Sequence, residues 1–272
     1  MANGCKINNT LSISRLNTFF KRTFPLGYAF KGEYHDFHEV VCVLSGCVGI
    51  TSGKRVYELC EGEMTVHTPG EFHAIREEKN NTPTVIVFSF TTLSFPVLKE
   101  NIFSLNKESL SEIEKIYTEI CSTVNKTNGE QSWIYSAVEG KELKLTLLVK
   151  RLELFLLTAF QSSVDASSRQ ISDSFYKILS VMEANINSSM SVSEIAEKCK
   201  MSVPSLEKTM HKYIGYGAME HYNIMKMRKA QTMLLEGKSV KDVSLSLGFS
   251  NQNYFSARFK KHFGYAPSKL KP

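Results

Sequence analysis

The chain has 272 residues, 42% of them hydrophobic and 11% aromatic, which is too long for one typical core and enough to fill two. Its net charge of +6 hides a division. Residues 1–165 carry 17 Lys and Arg against 19 Asp and Glu, and residues 166–272 carry 16 against 8, so the halves stand at −2 and +8. Charge needed only for solubility has no reason to segregate, so the basic half points to a polyanion partner. Six cysteines (Cys5, Cys42, Cys47, Cys60, Cys121 and Cys199) form no CxxC and no compact cluster. They indicate neither a zinc site nor a disulfide framework, and the simplest expectation is a reduced, cytoplasmic chain. No basic segment followed by an apolar run opens the sequence, and the most apolar stretch, 143–160, is broken by Lys144, Lys150, Arg151 and Glu153. Neither a signal peptide nor a membrane span is expected.

From about residue 36 to residue 90, short apolar segments (39–44, 48–51, 56–59, 64–66 and 85–90) alternate with turn signals at Ser45-Gly46, Ser52-Gly53, Glu61-Gly62 and Pro69-Gly70. Strands at this pace predict a small antiparallel barrel or jelly roll. Alternation places Glu39, Val41 and Val43 on one face, so a charged end adjoins an apolar interior.

Within this region, HDFHEVVCVLSG (35–46) and EGEMTVHTPGEFHAI (61–75) resemble the two half-motifs of the cupin barrel. In that family two His and a Glu from the first motif and a His from the second point inward as metal ligands. The matching positions here are Glu33, where a His would stand, His35, Glu39 and His73. Three roles stay open for them: a divalent metal site, an organic-ligand pocket, or structural groups at the barrel mouth. His35, Glu39 and His73 are assigned to a small-molecule effector; no metal or other cofactor is assigned. His38 and His67 fall outside the set as surface or core histidines. Phe30, Tyr34, Phe37 and Tyr57 are available to stack on a sugar ring or to fill a core. No nucleophile, base and orienter can be assembled, and Ser45 and Ser52 lack a GxSxG context.

Beyond residue 90 the period changes. Leu110, Ile113, Ile116, Tyr117 and Ile120 predict a helix over 107–121, and 139–160 predicts a longer, Leu-dense one, with a polar loop at 125–131 between them. The second helix carries more apolar residues than one barrel face would bury, making the pair a candidate dimer interface, with packing inside the chain as the alternative. The Ser-rich stretch 161–174 reads as a linker, with the domain boundary after residue 165.

Ser174 is expected to open a helix carrying Phe175, Ile178, Leu179 and Met182. In 191–215, Ile195, Ala196 and Cys199 predict the inner face of a short helix, 200–202 a turn, and Leu206, Met210 and Tyr213 the inner face of a second helix. The pattern repeats over 239–264, with Val243, Ser244 and Leu247, the turn around Gly248, then Phe255, Phe259 and Phe263. One continuous helix over 219–236 joins the two. A single helix-turn-helix pattern is weak; two in tandem are much stronger.

These residues, above all GFSNQNYFSARFKKHFGYAPSKLK (248–271), resemble the DNA-binding domain of the AraC/XylS family of transcription regulators. The resemblance implies a multidomain α+β chain: a cupin-like barrel (about 10–95) with a helical dimerisation segment (about 107–160), both within residues 1–165, then an all-α DNA-binding domain over 166–272 with two helix-turn-helix motifs. It implies an effector-controlled activator, not an enzyme. Its partners would be double-stranded promoter DNA, RNA polymerase, a small-molecule effector such as a sugar, and a second copy of the chain. The alternatives are a metal-dependent cupin enzyme fused to a DNA-binding domain, and a ligand-independent dimeric regulator. Two readers would enter successive major grooves roughly 34 Å apart. By position, Pro204, Glu207 and Lys208 of the first face bases, with Ser205, His211 and Lys212 nearer phosphates. In the second, Asn253, Ser256 and Ala257 face bases, flanked by Asn251, Gln252, Tyr254, Lys260 and Lys261. Ala257 departs from the many members with Arg there and can touch only a thymine methyl.

Overall fold

The computed structural model describes residues 10–128, 133–164 and 171–270. They divide into two compact units, 1–171 and 172–272. The division falls later than the one expected after 165, and the Ile171 amide still donates to the Val56 carbonyl of the first unit (2.8 Å).

The first unit contains the strands β1 (Ser12–Thr23), β2 (His38–Ser45), β3 (Cys47–Ser52), β4 (Arg55–Cys60), β5 (Glu63–His67), β6 (His73–Glu77), β7 (Thr84–Ser94), β8 (Ile102–Ser104), β9 (Val124–Asn128), β10 (Trp133–Ala137) and β11 (Ser163–Val164), with helices α1 (Lys107–Cys121) and α2 (Glu142–Ala159). They do not close into the expected barrel. A six-stranded sheet runs β1-β7-β2-β5-β8-β11 and a three-stranded sheet runs β4-β3-β6, with no ladder joining them among the described residues. Strand alternation explains the layering. Val41 and Val43 on β2, with Val85 and Val87 on β7, pack against Val48, Ile50, Tyr57 and Leu59 of the small sheet. Their neighbours Val40, Cys42, Ile86 and Phe88 point the other way, onto Ile113, Ile116 and Ile120 of α1 and Leu148, Leu152 and Leu156 of α2. A strand buried on both faces reads as a continuous apolar run, as VVCV in β2 does.

Two further expectations are corrected. The segment read as a polar loop over 125–131 contributes its start to β9, which pairs antiparallel with β10; polar composition concealed a short two-stranded ribbon. The cysteines are not all reduced: Cys47 and Cys60 are disulfide-bonded, with Cα atoms 4.1 Å apart. They lie directly opposite in the β3–β4 register. The flanking bond from Glu61 N to Gly46 O (2.9 Å) makes theirs a non-hydrogen-bonded pair, the closer of the two kinds of cross-strand neighbour. Spacing along the chain did not reveal a proximity that the hairpin creates.

The second unit is helical: α3 (Asp173–Ala184), α4 (Val192–Cys199), α5 (Val203–Ile214), α6 (Ala218–Leu235), α7 (Val240–Ser246) and α8 (Gln252–Phe263). The first begins one residue before the expected Ser174 because Ser172 caps it, accepting from the Phe175 amide at 3.1 Å. No helix among the described residues of the chain is long and apolar enough to cross a membrane.

Non-reducing peptide mapping of the oxidised chain should recover the Cys47–Cys60 pair. Reduction, or the Cys47→Ser change, should lower the unfolding free energy of the first unit by up to about 3 kcal/mol, the loop-entropy scale for a loop of this size.

Candidate DNA interface and polar cluster

Both helix-turn-helix motifs of the second unit are built by the same local chemistry. Ser191 caps α4 through a reciprocal box with Glu194, and Ser239 caps α7 through the Asp242 amide at 3.1 Å. Each first helix ends on a left-handed residue, Lys200 at φ 55° and Gly248 at φ 71°. The next amide folds back to the buried small residue, Met201 N to Ala196 O (2.9 Å) and Phe249 N to Ser244 O (3.0 Å). The second turn holds one more residue: Ser202 caps α5, whereas Ser250 precedes Asn251, the cap of α8.

The reading helices present most of the expected side chains. Pro204, Ser205, Lys208, His211 and Lys212 are exposed along α5. Asn251, Gln252, Asn253, Tyr254, Ala257, Lys260 and Lys261 are exposed at and along α8, with Ser256 half-buried. Leu206, Met210, Phe255 and Phe259 form the buried faces. Two side chains have a second task. Glu207 is turned to the start of α6, where its Oε2 accepts from the Ala218 amide at 3.0 Å. Gly217 has no side chain to cap that helix, and Glu207 does so instead. Asn251 accepts from the Asn253 and Tyr254 amides (2.7 and 3.2 Å).

Lys226, near the middle of α6, was missed by sequence reasoning. It is buried, yet its ammonium donates to Leu247 O at 2.9 Å and also to Ser188 O. Leu247 closes the first helix of the second motif, and Ser188 immediately precedes the first motif. The Tyr222 hydroxyl donates to the same Ser188 carbonyl at 2.8 Å, and the Tyr222 and Phe249 rings lie 4.9 and 5.2 Å from the ammonium. Burial lowers the Lys226 pKa. The two segments also meet without side chains: a Cβ on Gly248 would stand 2.9 Å from Asn187 O. The available signal was periodic, since Tyr222, Lys226, Ala230 and Leu234 recur every four residues on the inner stripe of α6.

In the first unit, Glu33, His35, Glu39 and His73 converge, with one ligating atom from each within 4.8 Å of the others. Glu39 comes from the start of β2 in the large sheet, His73 from the start of β6 in the small one, and a bridge pairs Glu33 with His73. The cluster therefore sits where the sandwich opens. His73 Nε2 lies 3.4 Å from Glu39 and 3.9 Å from Glu33, and His35 Nε2 lies 3.8 Å from Glu39. Burial and then repulsion from Glu39 raise the Glu33 pKa. His67, placed outside the set on sequence grounds, is directly opposite Glu39 in the β2–β5 register and stacks on His73 at 4.5 Å. Burial, followed by the neighbouring His73 and His35, holds its pKa well below the usual histidine range. Of the aromatic residues offered for stacking, Tyr57 is fully buried with its hydroxyl on Thr65 at 2.7 Å, and Phe37 stacks on His35 at 3.8 Å. Tyr34 packs edge-on to Phe72.

Residues 195–271 match a family model described as a helix-turn-helix domain. The second unit carries a helix-turn-helix domain. Over most of its length the chain is similar to two regulators. The Msm operon regulatory protein of Streptococcus mutans serotype c is 24% identical over 255 residues, spanning 90% of this chain and 87% of that protein. The HTH-type transcriptional activator RhaS of an Enterobacter species is 21% identical over 257 residues, spanning 89% and 88%. Among solved structures, ToxT from Vibrio cholerae O395 aligns over 96% of this chain and 97% of its own at 13% identity, with a TM-score of 0.37. The helix-turn-helix match and the similarity to regulators over most of the chain support DNA-binding transcription regulation.

Lys226→Met keeps the length of the side chain and removes the donor. Leaving the Leu247 carbonyl unpaired should lower the stability of the second unit by about 1–3 kcal/mol. It should weaken binding to DNA offering both grooves more than to DNA offering one, as compared by gel shift.

Proposed function

We propose that the chain reads a promoter with α5 and α8 in successive major-groove turns, and that a small molecule bound near His35, Glu39 and His73 of the first unit sets its activity. The carrying observation is the pair of similarly built reading helices on one basic unit. Lys208 faces solvent with no competing cap bond and can donate to guanine O6 and N7, and Asn253 can pair with adenine. Ala257 limits the second reader to apolar contact there. With Glu207 engaged at α6, sequence choice falls chiefly to Lys208 on α5 and Asn253 on α8. Lys260 and Lys261, in the last turn of α8, serve as phosphate anchors.

The regulator acts as an activator in the cytoplasm with RNA polymerase as partner, and it has no catalytic role of its own. Exposed Leu143, Leu147 and Leu154 fall on one face of α2, and that apolar stripe favours a homodimer formed through the helical layer. Ligand and DNA then influence each other reciprocally: whatever factor the effector applies to operator affinity, operator DNA applies to effector affinity.

Lys208→Ala should narrow the gap between operator and random DNA by roughly 1–3 kcal/mol. Lys260→Ala should weaken both alike and reduce the slope of log affinity against log salt by about one unit. Equal effects of the two changes on both DNAs would overturn this division of labour. A metabolite screen by thermal shift on the full chain should find a compound that raises the melting temperature and alters operator affinity. A ligand that raises the first and leaves the second unchanged would make the first unit a scaffold.

A further inference from the structure

We propose that the first unit binds a small organic monoanion with an apolar body in a cavity between β1, the β9–β10 ribbon and α2. The cavity has a volume of about 360 Å³, within the roughly 300–1,000 Å³ of small-molecule sites. Phe19 of its lining packs into the core shared with α1 and α2, whereas Glu39 alternates with Val40 onto the opposite face of the large sheet. This is therefore a second site, and its occupancy does not depend on the effector reading above.

β1 is irregular only where it borders the cavity. From Thr18 to Thr23 it pairs residue by residue with β7, but the register shifts between Ser12 and Ile13, between Ile13 and Arg15, and between Leu16 and Thr18. Ser14 and Asn17 drop out of the ladder and both turn to Thr91. Ser14 Oγ donates to its carbonyl and Asn17 Nδ2 to its hydroxyl, each at 3.1 Å. The Ile13 amide donates to Glu153 Oε1 on α2 at 2.8 Å, which ties the bulged strand to the opposite wall. Bulges re-aim side chains and recur beside binding sites.

The walls set the chemistry of the occupant. Ile13, Leu16, Phe19, Tyr135, Leu145 and Val149 are the main apolar surfaces, and the lining holds Arg15 and Lys150 but no carboxylate. Lys150 Nζ is answered by Glu153 at 2.8 Å. Arg15 is exposed at the rim, with no hydrogen bond or ion pair to any described residue. One cation in surplus suits one negative charge, and the guanidinium fork holds a carboxylate or sulfonate by paired hydrogen bonds. Behind Leu16 and Phe19 lies a further void of about 10 Å³, bounded by core side chains including Ile86, Ile116 and Leu152. It is at the size limit for one water and offers that water almost no partner, so it leaves the two side chains room to recede before an apolar group.

The test titrates anilinonaphthalene sulfonate, an aromatic monoanion whose fluorescence rises out of water, into the full-length chain. One saturable site per chain is expected. Val149→Trp, which fills the cavity, should abolish it. Arg15→Gln should weaken it about tenfold or more, the scale of one hydrogen bond to a charged group. Lys21→Gln, which removes a cation of β1 outside the lining, should leave it unchanged. The uncharged phenylnaphthylamine should bind the unmodified chain and Arg15→Gln equally. On the unmodified, methyl-labelled chain the anion should shift the resonances of Leu16, Val124, Leu145 and Val149, which keeps the test decisive should a variant fail to fold. No saturable site, unchanged affinity in Val149→Trp or Arg15→Gln, or an equal loss in Lys21→Gln would each overturn the assignment. Shifts confined to Leu143, Leu147 and Leu154 would overturn it in favour of adsorption to the exposed face of α2. Shifts confined to Val41, Val43 and Ile50 would put the anion between the sheets, overturning this site while leaving the effector reading intact.

Discussion

The DNA-reading unit depends on a buried ammonium. Lys226 is taken out of water, which costs several kcal/mol unless its donors are satisfied. They are satisfied by main-chain carbonyls from two places, Ser188 ahead of the first motif and Leu247 inside the second. Carbonyls cannot rotate away as side chains can, so the bond fixes two backbone segments against one helix. Gly248 completes the constraint by allowing the second turn to lie directly on the backbone at Asn187. The proposed two-groove reading would use this rigidity, because slack between the readers would be an entropic cost of binding.

The first unit applies the same economy of polar groups to a different end. Its large sheet is buried on both faces, by the small sheet and by the helices, which leaves the opening of the sandwich as the place where charged side chains gather. There the strand register, rather than chain proximity, assembles the cluster: Glu39 opposite His67 across β2 and β5, and Glu33 bridged to His73. His35 and His73 are each pinned through Nδ1 to a backbone carbonyl, and His73 also stacks on His67. The basic second unit and the near-neutral first unit therefore differ in the charge they present.

Much of this architecture was legible in the order of residues. The two helix-turn-helix motifs could be read because their signals are local: a capping serine, a small residue at the crossing, a turn residue and apolar positions three and four apart. Glu33, His35, Glu39 and His73 were legible as a set only through the resemblance of 35–46 and 61–75 to the cupin half-motifs; alternation alone placed Glu39 with Val41 and Val43. The bond of Glu207 to the Ala218 amide was not legible, because its spacing on α5 places it beside Lys208 while that partner lies on the next helix. His67 was set aside because its neighbour Glu39 belongs to another strand.

The sequence by itself determined the two-part organisation, the segregation of positive charge and the existence and faces of the helices, since each follows from composition or from periodicity within one element. Tertiary structure alone decided that the strands divide among separate sheets, that Cys47 meets Cys60, that Lys226 ties two motifs together and that Glu33, His35, Glu39 and His73 converge. Each of these is a meeting of groups from different elements, and such meetings depend on register and packing, for which a one-dimensional pattern carries no distance.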